Sequence, residues 1–405
     1  MITPTASERT VRFADFPTLT QALDFAATGE TGINLYSLRG ELVEAVPYAK
    51  LREDALVLAR RLLATGAKVG DSVALLAETD ADFVRAFFAC QYAGLLPAPM
   101  ALPTPLGGRE AYIEQIKNLA LSAKAKILIG PNGLKDWVAE IGERAGLEFA
   151  GVLADLPEDG GAALPTITPE DPCYLQFSSG STRTPTGVLV LHKALMANCV
   201  AITRDGLQVR PEDRAISWLP LYHDMGLIGF LLSPLSCQMS VDLLPTGAFV
   251  RRPLLWIDLI GRNKATIAYS PTFGYELCAR RVQGQPLDAY DLSHWRSAGL
   301  GGDMIRTGPV EAFAERFAAV GFELRGKLQE LQDLDSVEVN FVCDSQFAKG
   351  YNALALNGSG QQPKVIQDIL KHVHDKGQGS GPKDEVGSVL YTRGVIIQAM
   401  AIEAV

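Results

Sequence analysis

The sequence predicts a layered α/β fold in which mostly parallel β-sheets are flanked by α-helices. Between about residues 50 and 320, segments of helical periodicity alternate with short apolar segments, which is typical of repeated βαβ units. The apolar segments are continuous and bounded by turn residues, as expected for strands buried on both faces of a sheet. With 47% hydrophobic and 20% charged residues, the chain has enough apolar surface to build such a core.

The predicted elements follow one another in a regular order. The predicted helices are LREDALVLARRLLATG, ADFVRAFFACQYAG, REAYIEQIKNLALSA, LHKALMANCVAITRDG, RPLLWIDLIGRNK and GPVEAFAERFAAVG. The predicted strands are DSVALLA, AKILIG, EFAGVLA, CYLQF, VLVL, RAISWL, SVDLLP and ATIAYS. The uncharged run 225–241 contains Gly229, Pro234 and Gln238, so we expect a buried helix that leads into a strand rather than a membrane span. After Phe322 the composition changes, and a short α/β tail is expected.

Charge and cysteine usage exclude several classes of function. The net charge of −9 argues against general binding to nucleic acid or to an anionic membrane. The six cysteines lie far apart, without a CxxC pair or a Cys/His cluster, which favours reduced, buried thiols and no metal site. The first residues lack the basic start and apolar core of a secretory signal. A cytosolic protein is therefore expected.

A loop rich in glycine and hydroxyl residues, SSGSTRTPTG (178–187), connects the predicted strands CYLQF and VLVL. Backbone N–H groups of such a loop can converge on phosphate oxygens, and Ser and Thr hydroxyls add further donors. The phosphate loop of ATPases is excluded, because the spacing from Gly180 to Gly187 is too long and valine follows. The alternative is a hydroxyl-rich turn without a ligand.

The loop resembles the phosphate loop of the adenylate-forming enzymes, [ST]-[ST]-G-[ST]-T-x-x-P-K-G. The resemblance assigns ATP binding to Ser178, Ser179, Gly180, Ser181, Thr182, Thr184, Thr186 and Gly187. Thr186 stands where most members carry a lysine, so the loop is expected to hold phosphates through hydroxyls and backbone amides. Arg183 is then the nearest cation in the loop.

A second segment, WLPLYHDMGL (218–227), resembles the WLPxxHDMGL stretch of fatty acyl-AMP ligases, a branch of the same superfamily. The resemblance places His223 beside the acyl carboxylate and the phosphate that it attacks, where an imidazole can donate to developing charge. It therefore implies a catalytic role for His223 and substrate contacts for His223 and Asp224. The alternatives are an ordinary loop histidine and an aspartate that caps a helix beginning near Met225.

Two further segments carry the resemblance in the second half of the chain. RSAGLGGDMIR (296–306) aligns with the family's NGAEPVR region, which implies that Gly301, Gly302 and Asp303 lie along the adenine. SPTFGYEL (270–277) is similar to the family's helix start GPNFAYELC, which implies that Phe273 and Gly274 border an acyl tunnel. The alternatives are an exposed strand-to-helix turn and a helix start packed in the core.

The resemblance covers residues 16–322 and implies that a fatty acid is joined to ATP with release of pyrophosphate. The acyl-adenylate would then pass to an acyl carrier protein. The carboxylate of the substrate is itself the nucleophile, so no catalytic triad is required. Alignment of the reactants and neutralisation of charge by Mg²⁺ and cationic side chains would supply catalysis.

The expected organisation is a truncated AMP-binding adenylation domain at 1–322, a junction at 323–339 and an unrelated tail at 340–405. The tail weakly resembles part of a periplasmic amino-acid-type binding protein. The family's Tyr-Gly-x-x-Glu element, its ribose-binding aspartate and its C-terminal domain are not found after Phe322, so we expect impaired activity. Alternatives are a non-catalytic nucleotide-binding remnant and an acyl-CoA synthetase; solute binding by the tail would need an export signal.

Overall fold

A computed structural model of the chain describes residues 11–104, 108–177, 187–302 and 307–323. The described residues form two compact units, one within Met1–Arg204 and Val209–Arg251 and the other within Asp205–Gln208 and Arg252–Val405. Helices and strands alternate along both units, and the sheets are mostly parallel. The predicted layered α/β fold is confirmed.

The first unit contains most of the secondary structure. Its strands are β1 (Gly32–Tyr36), β2 (Leu42–Pro47), β3 (Ser72–Leu76), β4 (Leu96–Met100), β5 (Ala125–Ile129), β6 (Phe149–Gly151), β7 (Pro172–Phe177), β8 (Gly187–Leu191), β9 (Arg214–Ser217) and β10 (Ser240–Leu243). Its helices are α1 (Leu19–Ala26), α2 (Tyr48–Leu63), α3 (Ala81–Ala93), α4 (Arg109–Ser122), α5 (Lys135–Ala145), α6 (His192–Val200), α7 (Asp224–Leu227), α8 (Ser233–Ser236) and α9 (Thr246–Arg251). Two π-helical segments, Ala201–Gly206 and Ile228–Leu232, extend α6 and join α7 to α8.

The strands of the first unit form three groups. A four-stranded parallel sheet has the order β4-β3-β5-β6. Strands β9, β10 and β1 are parallel neighbours, and β2 is antiparallel to β1. Strands β7 and β8 form a separate antiparallel pair. The two antiparallel pairs are the main departure from the parallel pattern that the apolar segments predict.

Local sequence explains where the helices of this unit begin and end. Helix α3 begins after Asp80, whose carboxylate accepts a hydrogen bond from the Phe83 backbone N–H at 2.8 Å. It ends at Ala93, and the next residue, Gly94, has a φ of 65° that favours glycine. Helix α2 buries one face, formed by Tyr48, Leu51, Ala55, Leu58, Ala59 and Leu62. This spacing of three and four residues is the one that identified the helix in the sequence.

The uncharged run 225–241 is a buried helical stretch that leads into β10, as predicted. None of the described helices combines the length and the apolar character that a bilayer crossing requires. The five described cysteines are free and buried, in agreement with the expected reduced thiols; they are Cys90, Cys173, Cys199, Cys237 and Cys278. Cys343 lies outside the described residues.

The second unit is built around an aromatic core. Its elements are α10 (Leu254–Asn263), β11 (Ile267–Ser270), α11 (Thr272–Arg281), β12 (Ser297–Leu300) and α12 (Thr307–Phe317), and β11 is parallel to β12. The ring of Phe322 lies 5.1 Å from that of Trp295 and 5.0 Å from that of Phe313. The fold therefore includes Phe322. Apart from Glu323, the predicted junction 323–339 and the tail 340–405 lie outside the described residues, so these boundaries stay predictions.

A buried histidine links two helices of the first unit. His192, which is 1% exposed, begins α6, and its Nδ1 accepts a hydrogen bond from the Leu19 N–H at 3.1 Å. Leu19 is the first residue of α1. Burial lowers the pKa of His192 to about 4, because the surrounding protein cannot solvate the imidazolium. The neutral ring is therefore part of the fold.

Acidification should destabilise the chain through His192. Because its folded-state pKa is depressed, its contribution to stability is complete above the ordinary pKa of about 6.5 and is lost as the pH falls towards 4. His192→Asn keeps an acceptor for Leu19 but cannot become charged, so its unfolding free energy should fall less between pH 7 and pH 5. Urea unfolding at both pH values measures the difference. His294→Asn, at an exposed histidine, is the control; equal pH dependence of wild type and His192→Asn would contradict the prediction.

Candidate active site

The base of the predicted phosphate loop lies in the β7–β8 pair. Phe177 pairs with Gly187 and Gln176 pairs with Val188, so the chain leaves and re-enters this pair at neighbouring positions. Gly187 is the first residue of β8. The other predicted ATP-binding positions of the loop lie outside the described residues; they are Ser178, Ser179, Gly180, Ser181, Thr182, Thr184 and Thr186. Their contacts with phosphate stay predictions.

The segment that follows β9 is held in place by packing and by backbone hydrogen bonds. The ring of Trp218 stacks on that of Phe249, with centroids 3.8 Å apart and planes inclined by 5°. The Thr246 hydroxyl donates to the Trp218 carbonyl at 2.8 Å. The Leu219 N–H donates to the Ser217 hydroxyl at 3.0 Å. The start of the WLPLYHDMGL motif, where Trp218 and Leu219 are buried, is thereby held in place.

The same segment turns sharply before the helix. The His223 N–H donates to the Pro220 carbonyl at 3.2 Å, and the His223 carbonyl accepts from the Leu227 N–H at 2.8 Å. Gly226 lies directly against this turn, because a Cβ atom there would be 2.3 Å from the Pro220 carbonyl oxygen and 3.1 Å from that of Leu219. Only glycine allows α7 to approach the turn so closely. Gly226 thus determines where His223 lies.

His223 occupies the N-cap position of α7, with a φ of −102° and a ψ of 147°. Its ring lies 4.7 Å from that of Tyr222, and the residue is exposed. Desolvation by the surrounding protein lowers the pKa of His223, and the Asp224 carboxylate opposes this effect in part. At neutral pH the side chain is therefore a neutral imidazole that can donate one hydrogen bond and accept another.

Asp224 differs from the expected helix cap by one position. The helix begins at Asp224 itself, and His223 takes the N-cap position without a side-chain capping bond. The Asp224 carboxylate accepts a hydrogen bond from the Met225 N–H at 2.7 Å. A negative charge in the first turn is favourable, so the carboxylate still stabilises the helix start, although Asp224 is not the cap. The residue is exposed.

The second unit carries the positions expected to border the acyl chain and the adenine. Phe273 and Gly274 lie in the first turn of α11; Gly274 is buried, whereas Phe273 is 39% exposed. Packing of the helix start in the core therefore accounts for Gly274 and not for Phe273. Gly301 is buried and Gly302 is exposed, directly after β12. Gly302 has a φ of 79°, which favours glycine. Asp303 lies outside the described residues.

Strand β12 is held by two tyrosines before it reaches these glycines. The Tyr275 hydroxyl donates to the Gly299 carbonyl at 2.8 Å. A Cβ atom at Gly299 would lie 2.3 Å from the ring of Tyr269. The first glycine of the GLGGD segment therefore has a packing role, and Gly301 and Gly302 directly follow the strand that these two contacts hold.

Within the described ranges, no group of three or more His, Cys, Asp or Glu side chains is arranged to hold a metal ion. Mg²⁺ prefers carboxylate, carbonyl and water oxygens, and it commonly binds together with substrate phosphates.

The chain matches a known family over most of the described part. The model of the family described as "AMP-binding enzyme" matches residues 36–324, which include the loop, the His223 segment and the GLGGD segment. The chain belongs to the AMP-binding enzyme family. Its relatives are fatty acyl-AMP and acyl-CoA ligases.

Three comparisons describe how near these relatives are. A Caulobacter vibrioides (strain NA1000 / CB15N) protein, provisionally named an acyl-CoA synthetase, is 91% identical over 322 residues, which are 80% of this chain and 56% of that protein. JamA of Moorena producens (strain JHB), a medium-chain-fatty-acid–[acyl-carrier-protein] ligase, is 29% identical over 76% of this chain and 53% of its own length. A structure from a study of fatty acyl-adenylate ligases from E. coli and L. pneumophila has a TM-score of 0.74 and 44% identity, and the match covers 78% of this chain and 57% of that chain. The chain spans about half the length of the curated relatives that it matches.

Sequence reasoning missed three residues that hold the candidate segments in place, each within its own unit. Gly226 was part of a motif, but nothing assigned it a role. Tyr275 was read as part of a helix start, and Gln176 as an ordinary residue of the strand CYLQF. For Gln176 one feature was visible in the sequence, because a polar amide interrupts an apolar strand next to the loop.

Proposed function

We propose that this member of the AMP-binding enzyme family joins a fatty acid carboxylate to ATP and forms an acyl-adenylate. One carboxylate oxygen would attack the α-phosphorus of ATP, and the bond from that phosphorus to the bridging oxygen of the β-phosphate would break. Pyrophosphate would leave with that bond's electron pair. The single observation that carries the proposal is the placement of His223. It is a neutral, exposed imidazole held at a turn that a glycine contact fixes.

The roles proposed for the other residues follow the order of the reaction. The loop 178–187 would hold the phosphates of ATP through hydroxyls and backbone amides, and Gly301, Gly302 and Asp303 would lie along the adenine. Phe273 and Gly274 would border the acyl chain, with Asp224 near its carboxylate. Support for Phe273 comes from its exposed ring, and support for Gly302 comes from its exposed, glycine-specific backbone. Mg²⁺ would accompany ATP, and no step is assigned to it.

In this proposal His223 donates a hydrogen bond to the carboxylate or phosphate oxygen on which charge develops. A neutral imidazole has one N–H to donate, and a donor that is already oriented stabilises charge without reorganising during the reaction. The lowered pKa of His223 means that this form is present at neutral pH. The substrate carboxylate, rather than a side chain, remains the nucleophile.

The proposed acceptor of the acyl group is an acyl carrier protein. The printed name of JamA, which ligates medium-chain fatty acids to such a carrier, supports this acceptor. The provisional name of the Caulobacter relative favours coenzyme A as the second candidate. We also propose a cytosolic location, which the buried thiols support. We further propose that the family domain ends near Phe322, because this residue packs in the aromatic core of the second unit.

Fatty-acid-dependent exchange of pyrophosphate into ATP tests the proposal. We expect weak exchange, because the loop carries Thr186 in place of the usual lysine. His223→Ala should reduce the exchange by roughly tenfold or more, since a hydrogen bond to a charged group contributes about 1.5–3 kcal/mol. His294→Ala, at an exposed histidine of the second unit, should leave the exchange unchanged.

Direct measurement of ATP binding separates the remaining alternatives. Binding that Gly180→Pro abolishes, without any exchange, would identify a non-catalytic nucleotide-binding remnant. Absence of both binding and exchange would overturn the proposal. Where an acyl-adenylate forms, transfer to coenzyme A or to an acyl carrier protein decides between the two acceptors.

A further inference from the structure

The side chain of Gln176 connects the base of the loop to the His223 segment. Its amide nitrogen donates a hydrogen bond to the Tyr222 carbonyl at 2.8 Å. Gln176 is the residue before the last in β7, and it pairs with Val188 in β8. The contact therefore joins the strand that enters the Ser/Gly/Thr loop to a turn 46 residues later in the sequence.

The Tyr222 carbonyl belongs to the peptide group that immediately precedes His223. Because a peptide group is planar, fixing its carbonyl also fixes the direction of the His223 N–H, which donates to Pro220. The His223 carbonyl is bound in turn by Leu227. The backbone on both sides of the His223 Cα is thus held, and this fixes the direction of the Cα–Cβ bond that carries the imidazole.

Gln176 is a costly residue at this position. Its Oε1 is buried and meets no hydrogen-bond donor among the residues that the structure describes. A buried amide oxygen without a donor is unfavourable, and an apolar residue of the same size would not carry such an atom. The amide nitrogen of Gln176 makes the compensating contacts. It donates to the Tyr222 carbonyl at 2.8 Å and, at a longer distance of 3.4 Å, to the Phe177 carbonyl.

We infer that Gln176 is a positioning residue, whose amide holds the Tyr222–His223 peptide against the strand that enters the loop. It thereby holds His223 at a fixed place relative to the base of the loop, where Phe177 pairs with Gly187. The catalytic use of this positioning rests on the proposed function, but the contact itself can be tested without any activity. A structural role alone would affect stability and leave His223 unchanged.

The titration of the His223 ring, followed by NMR with carbon-labelled histidine, is the first test. His223→Gln assigns its signal in the full chain. In Gln176→Met, which keeps the size of the side chain and removes the donor, the turn should loosen and the surrounding protein should desolvate the ring less. We expect the pKa of His223 to rise towards its ordinary value, whereas the pKa of His192 should not move. The Asp224 carboxylate, which raises the pKa of His223, is present in all variants.

Gln91→Met is the matched control. The Gln91 amide also donates to a backbone carbonyl at 2.8 Å, that of Cys173, at the other end of β7. Its loss should lower stability and leave the His223 titration as in wild type. Gln176→Asn, whose side chain is too short to reach Tyr222, should change the titration in the same direction as Gln176→Met. It replaces Gln176→Met in the titration test if the methionine variant does not fold.

The outcomes distinguish this inference from the proposed function. A folded Gln176→Met or Gln176→Asn variant with an unchanged His223 titration would overturn the positioning role, whatever the exchange assay shows. A shifted titration in a chain without exchange would support the positioning role and count against the proposed function. Where exchange is measurable, Gln176→Met should lower kcat severalfold and change KM for ATP less.

Discussion

Replacing Asp242 with leucine should lower the free energy of unfolding by about 3–5 kcal/mol. Asp242 lies in β10 and is fully buried. Its carboxylate accepts hydrogen bonds from the Arg214 guanidinium at 2.7 Å and 2.6 Å and from the Asn34 amide at 2.9 Å. Leucine would remove the counter-charge of a buried guanidinium, and this loss is much larger than the loss of a surface ion pair. Urea unfolding of the chain measures it.

Two further variants show whether the effect comes from the buried charge. The double variant Arg214→Met with Asp242→Leu removes both charges and should recover most of the lost stability, because an apolar pair can replace a buried ion pair at little cost. Asp15→Asn breaks the exposed pair with Arg12 and should change stability by less than about 1 kcal/mol. A loss below about 1 kcal/mol in Asp242→Leu would mean that the carboxylate is not the group that stabilises this sheet.

The contacts of Asp242 show which part of the fold the sequence does not predict. RAISWL and SVDLLP were predicted as strands from their apolar pattern, and both are strands. The register that places Ser240 beside Arg214 and Asp242 beside Ile216 depends on which strands become neighbours, and the pattern carries no such information. Strand β1, which supplies Asn34, was missed because GINLY is short and contains glycine and asparagine, which are depleted in strands.

The candidate site could be predicted only in part for a related reason. The WLPLYHDMGL motif indicated His223 and a helix directly after it. It did not show that the helix begins at Asp224, or that a carbonyl of the preceding turn lies against Gly226. Such a close approach depends on the positions of two backbone segments, and a sequence identifies the glycine without identifying its neighbour. Gln176 was missed for the same reason, since its partner lies 46 residues away.

Gly226→Ala should disturb both the fold and the proposed site. The new Cβ atom would lie 2.3 Å from the Pro220 carbonyl oxygen and 2.9 Å from the Pro220 carbonyl carbon. Both neighbours are backbone atoms, so no side chain can rotate away, and either the start of α7 or the Leu219–Pro220 segment must move. Overpacking of this kind costs about 1–3 kcal/mol. Because His223 lies between these two segments, the fatty-acid-dependent exchange should fall at least as far as in His223→Ala; a displacement of about 1 Å can reduce a rate by about a hundredfold.

Gly229→Ala provides the comparison within the same helical stretch. A Cβ atom at Gly229 meets no atom within 4 Å other than those of its chain neighbours and its own helix backbone, so alanine should be neutral or should stabilise the chain by up to about 1 kcal/mol. Opposite effects of the two substitutions on stability would show that the contact with Pro220, rather than the flexibility of glycine, is the reason why position 226 requires glycine. If Gly226→Ala and Gly229→Ala were equally stable and retained the same exchange, the turn would be able to move away from the helix. His223 would then not be held by this contact, and its placement would have to depend on the bond between Gln176 and Tyr222.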